Sequence, residues 1–227
     1  MYILLSSEHT VYKVNTRTLK QSSKTEKVSA ELYFQHRRYM PEPIVFEQSQ
    51  YITTAAYAAY TALNKLDWQQ SFGAEIRLEA NTGKEISFQP NSSSAGLGYA
   101  LALALEWRKQ LNKSADVSPN VFSTGEVHAS GRVSAVGHIE TKVKAALNIA
   151  QQYLIEGAVK PFVIFYPTDN DQDIAVKLRD NVKHLGGELV AVDRLQTALS
   201  YLLGEQYDGD LANRFEPFKG LESFNFE

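Results

Sequence analysis

The feature that most constrains this chain is the run Ala95-Gly96-Leu97-Gly98-Tyr99-Ala100-Leu101-Ala102-Leu103-Ala104-Leu105, which contains no charged residue. Placed on a helix from about Ser93 to Leu111, it is apolar on every side through its first turns. Such a helix has no wet face and must be packed from several directions. The fold therefore needs other elements around one central helix, and 227 residues are enough to supply them. The run also falls well short of the roughly 18 to 20 apolar residues that span a bilayer, so it reads as core and no membrane partner is expected.

The start of that helix is chemically rich. Ser92, Ser93 and Ser94 suit capping positions, and a helix start presents unpaired N–H groups at the positive end of the macrodipole, where an oxyanion is best held. Gly96 and Gly98 each cost about 1 kcal/mol of helix propensity relative to alanine. Their placement points to close approach by another backbone, by a substrate chain or by a tightly packed helix.

Around this helix the pattern is mixed. Residues 1–14 and 28–35 have strand character, separated by a polar loop at 15–27 rich in Thr, Lys and Ser, and Pro41 and Pro43 break the pattern. Glu47 to Leu66 carries apolar residues at helical spacing. Ala74–Glu79 and Glu85–Gln89 read as strands joined around Asn81-Thr82-Gly83, and Val121–Val127 and Arg132–Val136 as a hairpin around Ala129-Ser130-Gly131. A helix over Ile139–Leu154, a buried strand Phe162–Tyr166, a helix Asp173–Leu185, a strand Glu188–Val192 and a helix Leu195–Leu203 complete the core. The expected class is α+β, with mixed sheets packed with helices. Residues 1–45 form a strand pair and loop within or appended to the core, 46–203 the core itself, and 204–227 an aromatic extension whose Phe215, Phe218, Phe224 and Phe226 suit docking on its own domain or on a neighbour, its own domain being the preferred reading.

Composition removes several classes of function. A net charge of −3 and a pI near 6.0 give no field for phosphate backbones, and Lys20, Lys24, Lys27, Arg37 and Arg38 are only a local cluster, so nucleic acid is not an expected partner. The absence of cysteine excludes disulfides, thiol nucleophiles and thiolate metal sites. His9, His36, His128, His138 and His184 are dispersed, and Asp169, Asp171, Asp173 and Asp180 resemble a calcium loop only until Ile174, which stands where the turn needs glycine. Those aspartates read as a helix-capping loop, and neither metal nor cofactor is expected. Met1 to Leu5 is too short for a signal core and is soon interrupted by Glu8, so the expected compartment is the cytoplasm.

Two residues carry nucleophilic chemistry. A serine hydroxyl needs a base to take its proton, and a lysine serves only where burial keeps it neutral. In the helix after the hairpin, Val143, Ala146, Leu147 and Ala150 recur at i, i+3, i+4 and i+7. Lys142 borders that stripe with Ala145, Ala146 and Ile149, whereas Lys144 aligns with Asn148 and Gln151 on a wetter side. Lys142 is thus the candidate base and Ser94 the candidate nucleophile, with Ser92 and Ser93 as competitors for that place. A serine at a helix start is ordinarily a cap, and a lysine beside an apolar stripe ordinarily snorkels, so neither residue alone identifies a site.

In register, however, these segments resemble the proteolytic domain of the Lon proteases. Ser94-Ala95-Gly96 falls on the family's nucleophile motif, Thr124-Gly125-Glu126-Val127 and Gly131-Arg132-Val133 on its strand-turn-strand, and Gly137-His138-Ile139-Glu140-Thr141-Lys142 on the segment ending in its lysine. The resemblance covers residues 74–168 and extends to Leu203. It implies a Lon proteolytic-domain fold, of the ribosomal protein S-five domain-2-like kind, and a serine-type endopeptidase with a Ser94–Lys142 dyad supported by Ala95, Gly96, Thr124, Gly125 and Glu126. In that scheme the Thr124 hydroxyl fixes the lysine amine. It further implies a polypeptide substrate, a homo-oligomeric ring, usually of six subunits, and an AAA+ ATPase that feeds it. No Gly-x-x-x-x-Gly-Lys-Ser/Thr occurs in the sequence, so ATP binding is not expected within these residues: a separate ATPase supplies unfolding, or the protein cuts already unfolded chains and peptides, or these residues derive from a longer polypeptide. Asn91-Ser92-Ser93 replaces the family's Asp-Gly-Pro before the nucleophile. That departure favours an alternative, a catalytically silent module of the same fold serving as an oligomeric scaffold or binding domain.

Overall fold

A strand buried along its whole length must be covered on both faces, and Phe162–Pro167 is such a strand. It organises the sheet in a computed structural model that describes residues 2–4, 11–20, 31–37, 40–45, 50–63, 72–80, 85–86, 92–110, 120–155 and 161–204. The strands are β1 (Tyr2–Leu4), β2 (Val11–Lys20), β3 (Glu31–Arg37), β4 (Met40–Val45), β5 (Phe72–Ala80), β6 (Glu85–Ile86), β7 (Asn120–Ser123), β8 (Glu126–Val127), β9 (Val133–Ser134), β10 (Phe162–Pro167) and β11 (Gly187–Val192). The helices are α1 (Gln50–Leu63), α2 (Gly96–Gln110), α3 (Ile139–Ile155), α4 (Val176–His184) and α5 (Leu195–Leu203). Asn91 and the extension beyond residue 204 lie outside the described residues.

Nine strands form one mixed sheet in the order β11-β10-β7-β1-β2-β5-β3-β4, with β6 also paired to β5. β1, β7, β10 and β11 are mutually parallel; the remaining neighbours are antiparallel. Alternation along β10 separates two cores. Val163 and Phe165 join α1, α2 and α5, whereas Phe162, Ile164 and Tyr166 join α3 and α4. α2 is the central helix that its sequence requires, with every residue from Ala95 to Ala104 buried. Ala55, Ala56, Ala59 and Ala62 of α1 are buried in the same core, and α1 packs along α2. The architecture is α+β, and no helix among the described residues is long and apolar enough to cross a membrane.

Several elements differ from expectation for identifiable reasons. Strand character at 1–14 resolves into β1 and an antiparallel β2, and β2 continues through Lys20 into the stretch expected to be loop. Ladder hydrogen bonds are made by the main chain, and Thr16 and Thr18 are β-branched residues that suit a strand despite their polarity. Pro41 and Pro43 lie within β4, which ends the sheet order. Prolines two residues apart remove donors from one side of a strand only, which an edge position tolerates. The single strand expected over Val121–Val127 is two: β7 belongs to the large sheet, and β8 pairs with β9 in a separate ribbon. That ribbon is pinned to the β11–α5 connection by Val133 N–H to Asp193 O at 2.7 Å and Leu195 N–H to Gly131 O at 2.8 Å. Gly131 adopts φ 83°, and an added Cβ would sit 2.9 Å from Gln196 Oε1.

The aspartate-rich loop does not cap α4. Thr168–Asp173 forms a 3-10 turn, Ala175 is the N-cap residue of α4, and Asp173 instead accepts from Asn170 Nδ2 at 2.8 Å. Asn170 also reaches across to the segment before α3, accepting from Val136 N–H at 2.8 Å and donating to Val136 O at 3.0 Å. This buried amide fixes where α3 begins. Asn170→Ala is expected to cost about 2–4 kcal/mol in urea unfolding, because it strands buried polar groups; an effect under about 0.5 kcal/mol would contradict the role.

Candidate active site

The turn before α2 places Ser94. Ser92 is extended, with φ −134° and ψ 125°, and Ser93–Ala95 then form one 3-10 turn that leads into α2. Contrary to the capping expectation, the Ser92 side chain makes no cap hydrogen bond. Its hydroxyl lies 2.9 Å from Ser94 Oγ instead. The N–H groups of Ala95 and Leu97 are taken by Ser92 O and Gly125 O, and that of Gly96 by Ser93 O. Among the described residues, the Ser93 and Ser94 N–H groups meet no backbone acceptor. Those two donors are what the helix start offers an oxyanion.

Gly125 grips this turn from the far side. Its N–H donates to Ser94 O at 2.9 Å, and its carbonyl accepts from Leu97 N–H at 3.0 Å. Side chains must be absent for the two segments to come so close. A Cβ on Gly125 would meet Val133 Cγ1 at 2.8 Å and Leu97 at 3.3 Å, and one on Gly96 would meet the Val127 backbone nitrogen and Cγ1 at 3.1 Å. The close approach inferred for Gly96 is thus made by this chain's own backbone. Thr124, fully buried, extends the β7 ladder with its N–H on Phe165 O at 3.1 Å, and its hydroxyl donates to Ser94 O at 3.2 Å. Thr124 therefore steadies the candidate nucleophile, not the lysine amine as expected. Glu126 lies opposite Ser134 in the ribbon and is half-buried.

Lys142 sits in the first turn of α3, its N–H on His138 O at 3.2 Å. His138 enters the helix with φ 57°, a left-handed conformation in which histidine is enriched among non-glycine residues. The Lys142 side chain is 1% exposed, against 63% for that of Lys144, which pairs with Glu140 at 3.7 Å on the outer face. Burial alone pushes the Lys142 amine down from 10.5 to about 8, with no carboxylate contributing.

The topology sends both residues to one edge of the sheet. Ser94 is bonded to Thr124 and Gly125 just past the end of β7. The start of α3 is bonded through Val136 to Asn170, just past the end of the adjacent parallel strand β10. The carboxyl ends of parallel strands are where open α/β sheets bind ligands. Ser94 belongs to the α2 side and Lys142 to the α3 side of that edge. No hydrogen bond joins the Lys142 amine to Ser94 among the described residues; the Ser94 hydroxyl faces Ser92.

Two features escape the sequence. The diagonal contact of His128 Nε2 with Ser134 Oγ at 2.7 Å spans the β8–β9 ribbon, and only the hairpin pairing could have signalled it. Asn170 carries no signal, because its partner Val136 is 34 residues away. No protein-family model matches the chain, and no curated protein matches it.

A buried amine that titrates low leaves a stability signature. The native state disfavours the ammonium, so Lys142 costs about 3 kcal/mol when both states are protonated, and that cost fades as pH rises from about 8 to 10.5. Lys142→Met is accordingly expected to be more resistant to urea than wild type at pH 7, by about 1–3 kcal/mol. The gap should narrow toward pH 10.5, and a gap independent of pH would contradict a dry amine.

Proposed function

We propose that this chain is a serine-type endopeptidase of the Lon kind, acting through Ser94 and Lys142, with the Lon proteolytic-domain fold. The observation that carries the reading is a buried lysine, its amine lowered to about 8, in the helix that starts at the sheet edge where Ser94 is held. An amine with that pKa is neutral in roughly one molecule in ten at pH 7, enough to serve as a general base. Ser94-Ala95-Gly96, Thr124-Gly125-Glu126 and the segment ending at Lys142 supply the resemblance to the family.

Neutral Lys142 takes the Ser94 proton as Oγ bonds to the scissile carbonyl carbon, and the carbonyl π electrons move to oxygen. The Ser93 and Ser94 N–H groups hold that oxyanion. Collapse breaks the C–N bond, and the Lys142 ammonium returns the proton to the leaving amine. A water then attacks the acyl-enzyme with Lys142 again as base, releasing the acid and restoring Ser94. Approach of Nζ to Oγ completes the site when substrate is bound, since catalytic hydrogen bonds often tighten only in the complex. The chain works as a homo-oligomeric ring on polypeptide substrates, with any ATPase supplied by a separate AAA+ partner.

One observation favours a second reading. The Ser94 hydroxyl is engaged by Ser92 and not by Lys142, as in a silent module that serves only as a scaffold. Reaction with a fluorophosphonate, followed by intact mass, separates the two. Wild type and Ser134→Ala should gain one adduct, Ser94→Ala none, and Lys142→Met should react at least about 100-fold more slowly. The wild-type rate should climb with pH to a midpoint near 8. If neither an adduct nor casein cleavage is seen with wild type, the peptidase reading fails.

A further inference from the structure

We infer that Ser92 is a positioning residue that latches the Ser94 hydroxyl in its resting orientation and competes with Lys142 for it. The inference rests on the dyad proposed above. Its basis is the 2.9 Å contact between the two hydroxyl oxygens, the only side-chain hydrogen bond of Ser94 Oγ among the described residues. The contact is built into the backbone. Ser92 is held extended with its carbonyl on Ala95 N–H at 3.1 Å, and the next residues turn at once into the 3-10 helix. That change of direction sets side chains two residues apart toward each other.

Ser92 is also poorly placed as the nucleophile itself. The main-chain carbonyl pinned by both Thr124 Oγ1 and Gly125 N–H belongs to Ser94. Ser94 is also buried, while Ser92 is half-buried. Either hydroxyl can donate across this contact; when Ser94 is the donor, its one proton is directed at Ser92 and not at the lysine amine. Release to Lys142 breaks one hydroxyl–hydroxyl contact, a modest barrier that an arriving substrate chain can overcome by displacing the Ser92 side chain. The site is thereby held quiet between substrates.

The test measures second-order fluorophosphonate labelling and peptide turnover for wild type, Ser92→Ala, Ser92→Gly and Ser92→Thr. Removing the latch should speed labelling by roughly three- to tenfold in the Ala and Gly variants. It should raise kcat more than it changes KM and leave the pH midpoint in place. Ser92→Thr, which keeps the hydroxyl, should behave as wild type. An adduct on wild type with labelling unchanged or slowed in both Ser92→Ala and Ser92→Gly overturns the latch and leaves the dyad standing. No adduct on any of the four proteins overturns the dyad, and the latch with it.

Discussion

The pairing of Gly125 with the turn around Ser94 is the contact on which the rest of the site depends. Two main-chain hydrogen bonds, to Ser94 O and from Leu97 N–H, tie the start of the central helix to the chain leaving β7. They form only because neither Gly125 nor Gly96 carries a Cβ. Satisfying Leu97 N–H from outside the helix removes one of the orphan donors that every helix start must place. The same contact diverts the chain from the large sheet into the β8–β9 ribbon, which delivers it to α3. One backbone crossing therefore anchors the turn that carries Ser94 and routes the chain toward α3 and Lys142.

Lys142 represents a cost that the fold carries. Burying an amine without a counter-charge runs against stability, and the surrounding apolar residues of α3, with Ile139, Val143 and Ala146 in one core, supply no compensation. A methionine or leucine there would carry no such cost, as the apolar residues elsewhere on the same stripe carry none. Lys144, two residues on, shows the ordinary arrangement, exposed and paired with Glu140. The contrast between two lysines in one turn is one of burial, Lys142 being enclosed and Lys144 exposed.

How much of this is legible in the sequence depends on the range of each interaction. The all-round apolar α2 and the one-sided α3 are local patterns, so the central helix, the burial of Lys142 and the exposure of Lys144 can be read directly. The hairpin of β5 and β6 and the alternation of strands and helices from β7 to α5 are likewise local. What the sequence hides is set by distant partners. Thr124 donates to a carbonyl 30 residues away, which no local pattern shows, and the family resemblance points its hydroxyl at the lysine when it bonds to Ser94 instead. Asn170 is tied to Val136 across the β10 crossover, and the acidic residues around it draw notice in its place. The prolines of β4 and the polar half of β2 mislead because edge position and ladder bonding are properties of the assembled sheet. The serines before α2 suggest caps or rival nucleophiles, whereas the 3-10 turn brings two of their hydroxyls together.

Burial of Lys142, which lowers its amine from 10.5 to about 8, is the property on which the proposed chemistry depends. Protein labelled with carbon-13 at lysine Cε permits that amine to be titrated directly by NMR, with Lys142→Met identifying the resonance. A midpoint near 8 for Lys142, with the other lysines titrating near their ordinary ~10.4, is the expected result. A Lys142 resonance that titrates with the other lysines would place the amine in water and remove the base from the mechanism.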